Sequence, residues 1–371
     1  MKPFPDHFIK NILDLTCTIQ AIPAPTFNES LRAAFFLKQF TNQGLADVQM
    51  DEIGNILGRL PGSENARPLV VCAHMDTVHP LETQLGLRKF DDRIIGPGIG
   101  DNAMGLAAII GLIRSLRMRS EKLPGDLWLV INVGEEGLGD LRGIQAIVDR
   151  FENKPLAYLI IEGMGLGTIL NRGLGVERYR IEVYTPGGHS WVDYGQPSAI
   201  HELCAIVTRL AALQLPRTPC TTLNAGIIHG GTSINTIAAE AWIELDLRSE
   251  DGSALAKLTS EVEAIVKTAQ CPGVQVEMKR IGKRLAGQLA DTHSLVRVAS
   301  SVLADLGIEA RLDIASTDAN LPLSRGYPAI CIGITSGNNA HTMEEYILTS
   351  PIKRGLMQLH QFVVRAWQEI S

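Results

Sequence analysis

Cysteine is sparse and scattered in this chain. Six residues (Cys17, Cys72, Cys204, Cys220, Cys271, Cys331) are spread over 371 positions, with no CxxC pair among them. That spacing excludes zinc-ribbon and thioredoxin-like readings. Isolated thiols fit a reducing compartment, here the cytoplasm. Long apolar runs are also missing, since no uninterrupted stretch reaches the roughly 18 residues of a membrane span. The opening segment, MKPFPDHFIKNILDL, carries Asp6, Lys10 and Asp14 where a secretory leader needs an apolar centre. A membrane partner is therefore not expected. No basic run appears, and the formal net charge of −6 with a pI near 5.9 argues against a nucleic-acid surface. The glycine-rich GPGIGDN lacks both GxGxxG spacing and a P-loop lysine, so nucleotide binding has no support. There is no internal repeat and no low-complexity tract.

What is present is a globular composition, 45% hydrophobic and 20% charged, at a length that suits two domains. The first part alternates helix and strand. Residues 6–20 and 27–43 show helical periodicity, and 102–118 is a mostly apolar helix. Segments 55–60, 68–73, 126–133 and 157–162 read as strands, with a short helix at 142–150. Solid apolar strands between helices predict a mainly parallel, three-layer α/β/α domain.

The middle changes character. Strand 176–184 alternates apolar and polar residues. Helix 197–213, strands 221–228 and 240–247, helix 254–269 and strand 274–280 follow. That order is β-α-β-β-α-β, a ferredoxin-like α+β domain with one face or edge free to pair. Helix 292–306, a strand near 311–314, the turn STDANL, strand 328–332 and helix 351–368 then return to α/β. One discontinuous domain, 1–173 with 285–371, is thus expected to carry an insert at 174–284.

Polar residues with metal-binding chemistry cluster at the ends of apolar runs. His74 and Asp76 end PLVVCAHMD, Glu135 and Glu136 end LWLVINVGEE, and Glu162 ends AYLIIEG. Asp101 sits in GPGIGDN and His341 in SGNNAHTMEE. Strand ends deliver side chains to one edge of a sheet, where open α/β sheets keep their chemistry. Two histidines and several carboxylates suit a pair of zinc ions, and cobalt or manganese accepts the same donors. Each residue has a plainer reading. An isolated His-x-Asp serves as well to end a strand, Asp101 is placed to cap a helix at Asn102, and a loop histidine such as His341 is commonly just exposed. His79 lies beyond the turn, as a surface residue or one behind the ligands. Glu135 and Glu136 are neighbours on extended backbone and should point apart, one toward metal and the other toward water as a general base.

Taken together, these segments resemble the co-catalytic zinc metallopeptidase family that includes glutamate carboxypeptidase, peptidase T, aminoacylase, acetylornithine deacetylase and succinyl-diaminopimelate desuccinylase. Seven positions match in the family's order between about residues 70 and 345. The resemblance implies that His74 and Glu162 hold one zinc, Glu136 and His341 the other, and Asp101 bridges them. It implies Glu135 as general base and Asp76 as the partner of His74, with a cis peptide after Asp101. PGGHS at 186–190, GGTSIN at 230–235 and LDLRS at 245–249 resemble segments of the family's lid and dimerisation domain. From these, His189, Asn235 and Arg248 are expected to bind substrate, with His189 crossing a homodimer.

The implied reaction is amide hydrolysis of a small peptide, with N-acyl-amino-acid deacylation as the alternative. A catalytically inactive binding relative would show a lost ligand or base, and none is lost. Two cues disagree on substrate. Glu162 stands where aminopeptidase-type members more often carry Asp, which tilts toward a carboxypeptidase or acyl-amino-acid hydrolase. HMDTVHP and STDANLPLSRGYP resemble peptidase T.

Overall fold

The apolar runs of the sequence become the middle of one sheet. In the computed structural model, which describes residues 2–370, Gly125–Asn132, Ala66–His74, Tyr158–Met164 and Ala329–Thr335 lie side by side and parallel. Ile56–Leu60 and then Ala46–Met50 extend the sheet antiparallel on one side. Thr168–Gly173 and Gly287–Gln288 do so on the other, with Arg311–Ala315 parallel to Thr168–Gly173. The centre is parallel and the flanks are mixed.

Strand alternation divides the side chains between two cores. Leu69, Val71 and Ala73 face the larger core, which is built with Asp6–Gln20, Ser30–Asn42, Gly105–Met118, Ser294–Asp305 and Ile352–Glu369. Val70 and Cys72 face a smaller one with Ile144, Ile147 and Val148 of Arg142–Phe151. These are the two helical layers of a three-layer domain. In Gly105–Met118, Leu106, Ile109, Ile110, Leu112 and Ile113 are all essentially inaccessible. At about 1.5–3 kcal/mol for each such side chain, their burial is worth on the order of 10 kcal/mol, far more than the propensity cost of Gly111. With its lead-in, Ile99–Met118 is long and apolar enough to cross a membrane by length and composition, and 89% of its apolar window is buried inside the protein.

The local differences from expectation have physical causes. The helix expected from 102 begins at Gly105, because Asp101 and Asn102 take non-helical φ/ψ; the peptide between them is cis. Asp101 therefore does not cap a helix. The helix expected from 27 begins at Ser30, after a turn in which Phe27 takes a positive φ of 74°. Ala46–Met50 is a polar, partly exposed edge strand, and Thr168–Gly173 alternates buried positions that include Asn171 and Gly173, so neither shows a clear apolar period in sequence.

The compact units are residues 1–173 with 287–371, and residues 174–286. The second unit has a four-stranded antiparallel sheet ordered Thr221–Gly230, Glu240–Ser249, Gly175–Tyr184, Gln275–Arg284. Helices Ala199–Ala211 and Gly252–Ala269 complete the β-α-β-β-α-β order, and their apolar faces share a core with Ile181, Val183, Ile243 and Leu245. Asp251 caps the second helix by accepting from the Ala254 N–H at 2.8 Å. Thr221–Gly230 is an edge strand, and Ile227 and Ile228 are more than half exposed on it.

Candidate metal centre

Four parallel strands end at the same edge of the sheet in the first unit, and the site is built there. His74 is the last residue of its strand, and Glu162 lies within Tyr158–Met164. Just past Asn132, Gly134 turns the chain at a φ of 66°. The next two N–H groups, of Glu135 and Glu136, then donate to Asp76 Oδ1 and Oδ2 at 3.0 and 2.9 Å. This clamp corrects the expectation that the two glutamates point apart. One oxygen from each lies with a His74 nitrogen inside a 4.8 Å cluster. Thr26 Oγ1 also donates to Asp76 Oδ2, at 2.9 Å. His74 Nδ1 lies 3.1 Å from the Asp76 carbonyl oxygen and 3.5 Å from its carboxylate. Asp76 thus orients the imidazole mainly through its backbone and organises Glu135 and Glu136 through its side chain.

Asp101 sits between the two histidines. Its Oδ1 is 3.1 Å from His74 Nε2, and its Oδ2 is 3.1 Å from His341 Nε2. Glu162 stands 3.6 Å from His74 Nε2, and Glu136 stands 3.2 Å from His341 Nε2. Two donor sets result, His74–Asp101–Glu162 and Asp101–Glu136–His341, each gathering one nitrogen and two carboxylate oxygens within 4.8 Å. A bidentate carboxylate shared by two such triads fits a pair of divalent cations.

The electrostatics agree. Burial would depress His74, but Glu162 and the hydrogen bonds to Asp101, Asp76 and Glu162 raise it well above its ordinary value. Hydrogen bonds to Asp101 and Glu136 push His341 up to about 10. Burial pushes Glu136 and Glu162 up to about 7. It opposes ionisation of Asp101 too, yet the bonds to His341 and His74 hold that carboxyl below its usual range. Without metal the centre retains protons on its histidines, and these a cation displaces.

Residues 70–365 match the profile of Peptidase family M20/M25/M40, most of the chain's length. The chain belongs to that family. Among sequence relatives, an acetylornithine deacetylase of Klebsiella pneumoniae is 25% identical over 77% of this chain and 76% of its own. The protein YqjE of Bacillus subtilis is 23% identical over 98% and 99%. A peptidase M20 domain-containing protein of Schizosaccharomyces pombe is 28% identical over 64% of this chain, and the match spans 60% of that relative. In fold, a tripeptidase from Staphylococcus aureus superposes with a TM-score of 0.82 at 22% identity, covering 97% of this chain and 99% of its own. A dinuclear metal binding peptidase from B. subtilis gives 0.73 at 17% identity, covering 99% and 100%. As an M20 member, the chain is a metallo-hydrolase acting on amide bonds.

The M20 segments in the second unit are arranged differently. Gly188–His189 pairs with Thr236–Ile237, and the Ser190 N–H donates to the Asn235 carbonyl at 3.0 Å, so His189 and Asn235 are neighbours. His189 Nδ1 accepts from the N–H groups of Trp191 and Val192 at 3.2 and 3.3 Å. Arg248 lies near the other end of Glu240–Ser249, a strand roughly 30 Å long at 3.3 Å per residue, and is bonded to Asp246 at 2.6 Å. One copy of this unit therefore does not bring Arg248 to His189.

Several residues at the M20 centre escape a sequence reading. Arg32 is fully buried and donates to the carbonyls of Ile22 and Met75, pinning the peptide between His74 and Asp76. His79 is buried, not on the surface, and its Nε2 has no hydrogen-bond partner. Asp318, in the STDANL turn, is buried and accepts from Asn132 Nδ2 at 2.7 Å. Burial, reinforced by Glu135, raises it well above the usual carboxylate range. Glu345 is buried four residues past His341 and accepts three backbone N–H groups of the loop carrying Asp101. Only the short spacing from His341 could have flagged it.

Proposed function

We propose that this chain is a two-metal exopeptidase that hydrolyses an amide bond of small peptides. The observation that carries the reading is Asp101, with one carboxylate oxygen 3.1 Å from each of two histidines. His74 and Glu162 would hold one ion, Glu136 and His341 the other, with Asp101 shared. Zinc is the expected metal, and cobalt or manganese suits the same donors. When bound, the two ions supply Lewis acidity that lowers the pKa of water and polarises the scissile carbonyl. Glu135, clamped through its N–H by Asp76, takes one proton from the attacking water. As the C–N bond breaks, it returns that proton to the leaving amine. Asp76 holds His74 and both glutamates in register. On the resemblance alone, His189, Asn235 and Arg248 recognise the substrate, the arginine through a carboxylate. The separation of Arg248 from His189 within one unit favours His189 acting in a homodimer partner.

The peptidase reading is supported by solved folds described as a tripeptidase and as aminopeptidase PepT, at TM-scores of 0.82 and 0.78. The second reading, N-acyl-amino-acid deacylase of the aminoacylase type, is supported by the acetylornithine deacetylase relatives. A carboxypeptidase preference belongs to the first reading and rests on Glu162. Free cysteines throughout the described residues accord with a cytoplasmic setting. A panel of di- and tripeptides, free and N-blocked, set against N-acetyl and N-succinyl amino acids separates the readings. Turnover of free peptides alone supports the first, turnover of acyl amino acids alone supports the second, and turnover of neither overturns both.

A further inference from the structure

The two ligand triads are held by different kinds of support. His74 and Glu162 stand on adjoining strands of the central sheet. Asp101 and His341 stand on loops. The Asp101 loop leaves Arg93–Ile95, turns through Gly98 at a φ of 69°, and passes Met164 and Ile347 at Gly100 with no room for a Cβ. His341 takes a φ of 67° in the loop between Gly337–Asn338 and Tyr346–Leu348. His341 is half exposed, and Tyr346–Leu348 pairs with Arg93–Ile95.

Glu345 joins these two loops. Its side chain is wholly buried. Oε1 accepts from the N–H groups of Gly100 and Asp101 at 2.7 and 2.8 Å, and Oε2 accepts from Gly98 at 3.1 Å. Its carbonyl accepts from Gly96 at 2.8 Å. One residue therefore fixes the backbone that presents Asp101 and anchors the segment that presents His341. A carboxylate suits the task because both oxygens accept. A glutamine would turn an NH2 group against at least one of those N–H donors.

We propose that Glu345 is a positioning residue that governs occupancy of the Asp101–Glu136–His341 metal position. The inference rests on the two-metal reading above. Two of that position's three ligands depend on Glu345, against one of three at His74–Asp101–Glu162. Loss of the carboxylate therefore weakens the second metal selectively.

The test is zinc binding to metal-free protein, followed by isothermal titration and by competition with a chelating dye. In the wild type, two binding steps are expected. Glu345→Gln should weaken one step by tenfold or more, a loss worth about 1.4 kcal/mol or more, and change the other by less than about threefold. Glu345→Asp, which keeps the charge on a shorter arm, should fall between and preserve the selectivity. Ser115→Ala is the control for loss of a buried hydrogen bond, because Ser115 bonds His360 at 2.8 Å in the Gly105–Met118 helix. It should leave both steps unchanged. Equal weakening of both steps, or none, in the Gln and Asp variants overturns the role of Glu345 while the two-metal reading stands. If Glu345→Gln does not fold, the Asp variant decides. A wild type that takes up no zinc overturns the two-metal reading itself.

Discussion

At the scale of single residues, Glu135 and Arg32 separate chemistry from support. Replacing Glu135 by Ala removes the proposed base and spares every proposed metal ligand. Activity should fall by about 10²–10⁴-fold or more, with metal content unchanged by atomic absorption. A fully active variant would end its assignment as base. Arg32→Ala leaves the carbonyls of Ile22 and Met75 without their buried donor. At roughly 1–3 kcal/mol for each orphaned group, the urea midpoint should drop markedly. The protons of the centre set a further expectation. His341 is raised to about 10, and Glu136 and Glu162 to about 7. These three groups hold more protons in the metal-free folded chain than in the unfolded chain, so their contribution to stability is fullest at mildly acid pH and declines as pH climbs from about 5 to 10. Urea midpoints at pH 5, 7 and 9 in the presence of chelator should fall in that order, and added zinc should reverse the trend. A midpoint that rises with pH without metal contradicts the proton placement. The candidate ligands that the fold brings together stood out in sequence because each ends an apolar run or sits in a glycine-rich turn. Glu345 and Arg32 were not, because each acts on backbone groups brought near only by folding.

At the scale of elements, the hydrophobic pattern reads well where burial is complete and poorly where it is partial. The central parallel strands and the apolar helix were visible as solid runs. Ala46–Met50 was missed because an edge strand that partly faces water needs no apolar period, and Thr168–Gly173 because the buried positions of TILNRG include Asn171 and Gly173, which carry no apolar signal. The start of the 105–118 helix was placed three residues early because Asp101 and Asn102 take non-helical φ/ψ in the loop held by Glu345. That helix supplies a direct packing test. Ile109→Ala opens a cavity in the larger core and should cost about 2–5 kcal/mol, lowering the urea midpoint without changing the slope. A loss below 1 kcal/mol would mean that the helix is not packed in the larger core as described above.

At the scale of the whole molecule, two compact units are written in one chain, and the change from solid to alternating strands near residue 174 marks where one gives way to the other. The sheet of the second unit leaves Thr221–Gly230 at its edge, with Ile227 and Ile228 exposed on it. If that edge joins two copies, Ile228→Lys should convert a dimer to a monomer in sedimentation velocity while the metal content stays the same. A variant that stays dimeric places the interface elsewhere. Substrate choice was the least legible property, because the cues at Glu162 and in STDANL pull in opposite directions. The central claim, that five ligands, a base and a positioning carboxylate from distant segments converge on two divalent ions for amide hydrolysis, rests on one quantity above all. That quantity is the metal content per chain, measured on protein purified without added metal and then after chelation and zinc replacement, with peptide hydrolysis followed in parallel. The account predicts about two ions per chain, with hydrolysis lost on chelation and restored by zinc. A chain that takes up no metal, or that hydrolyses peptides equally well after chelation, contradicts it.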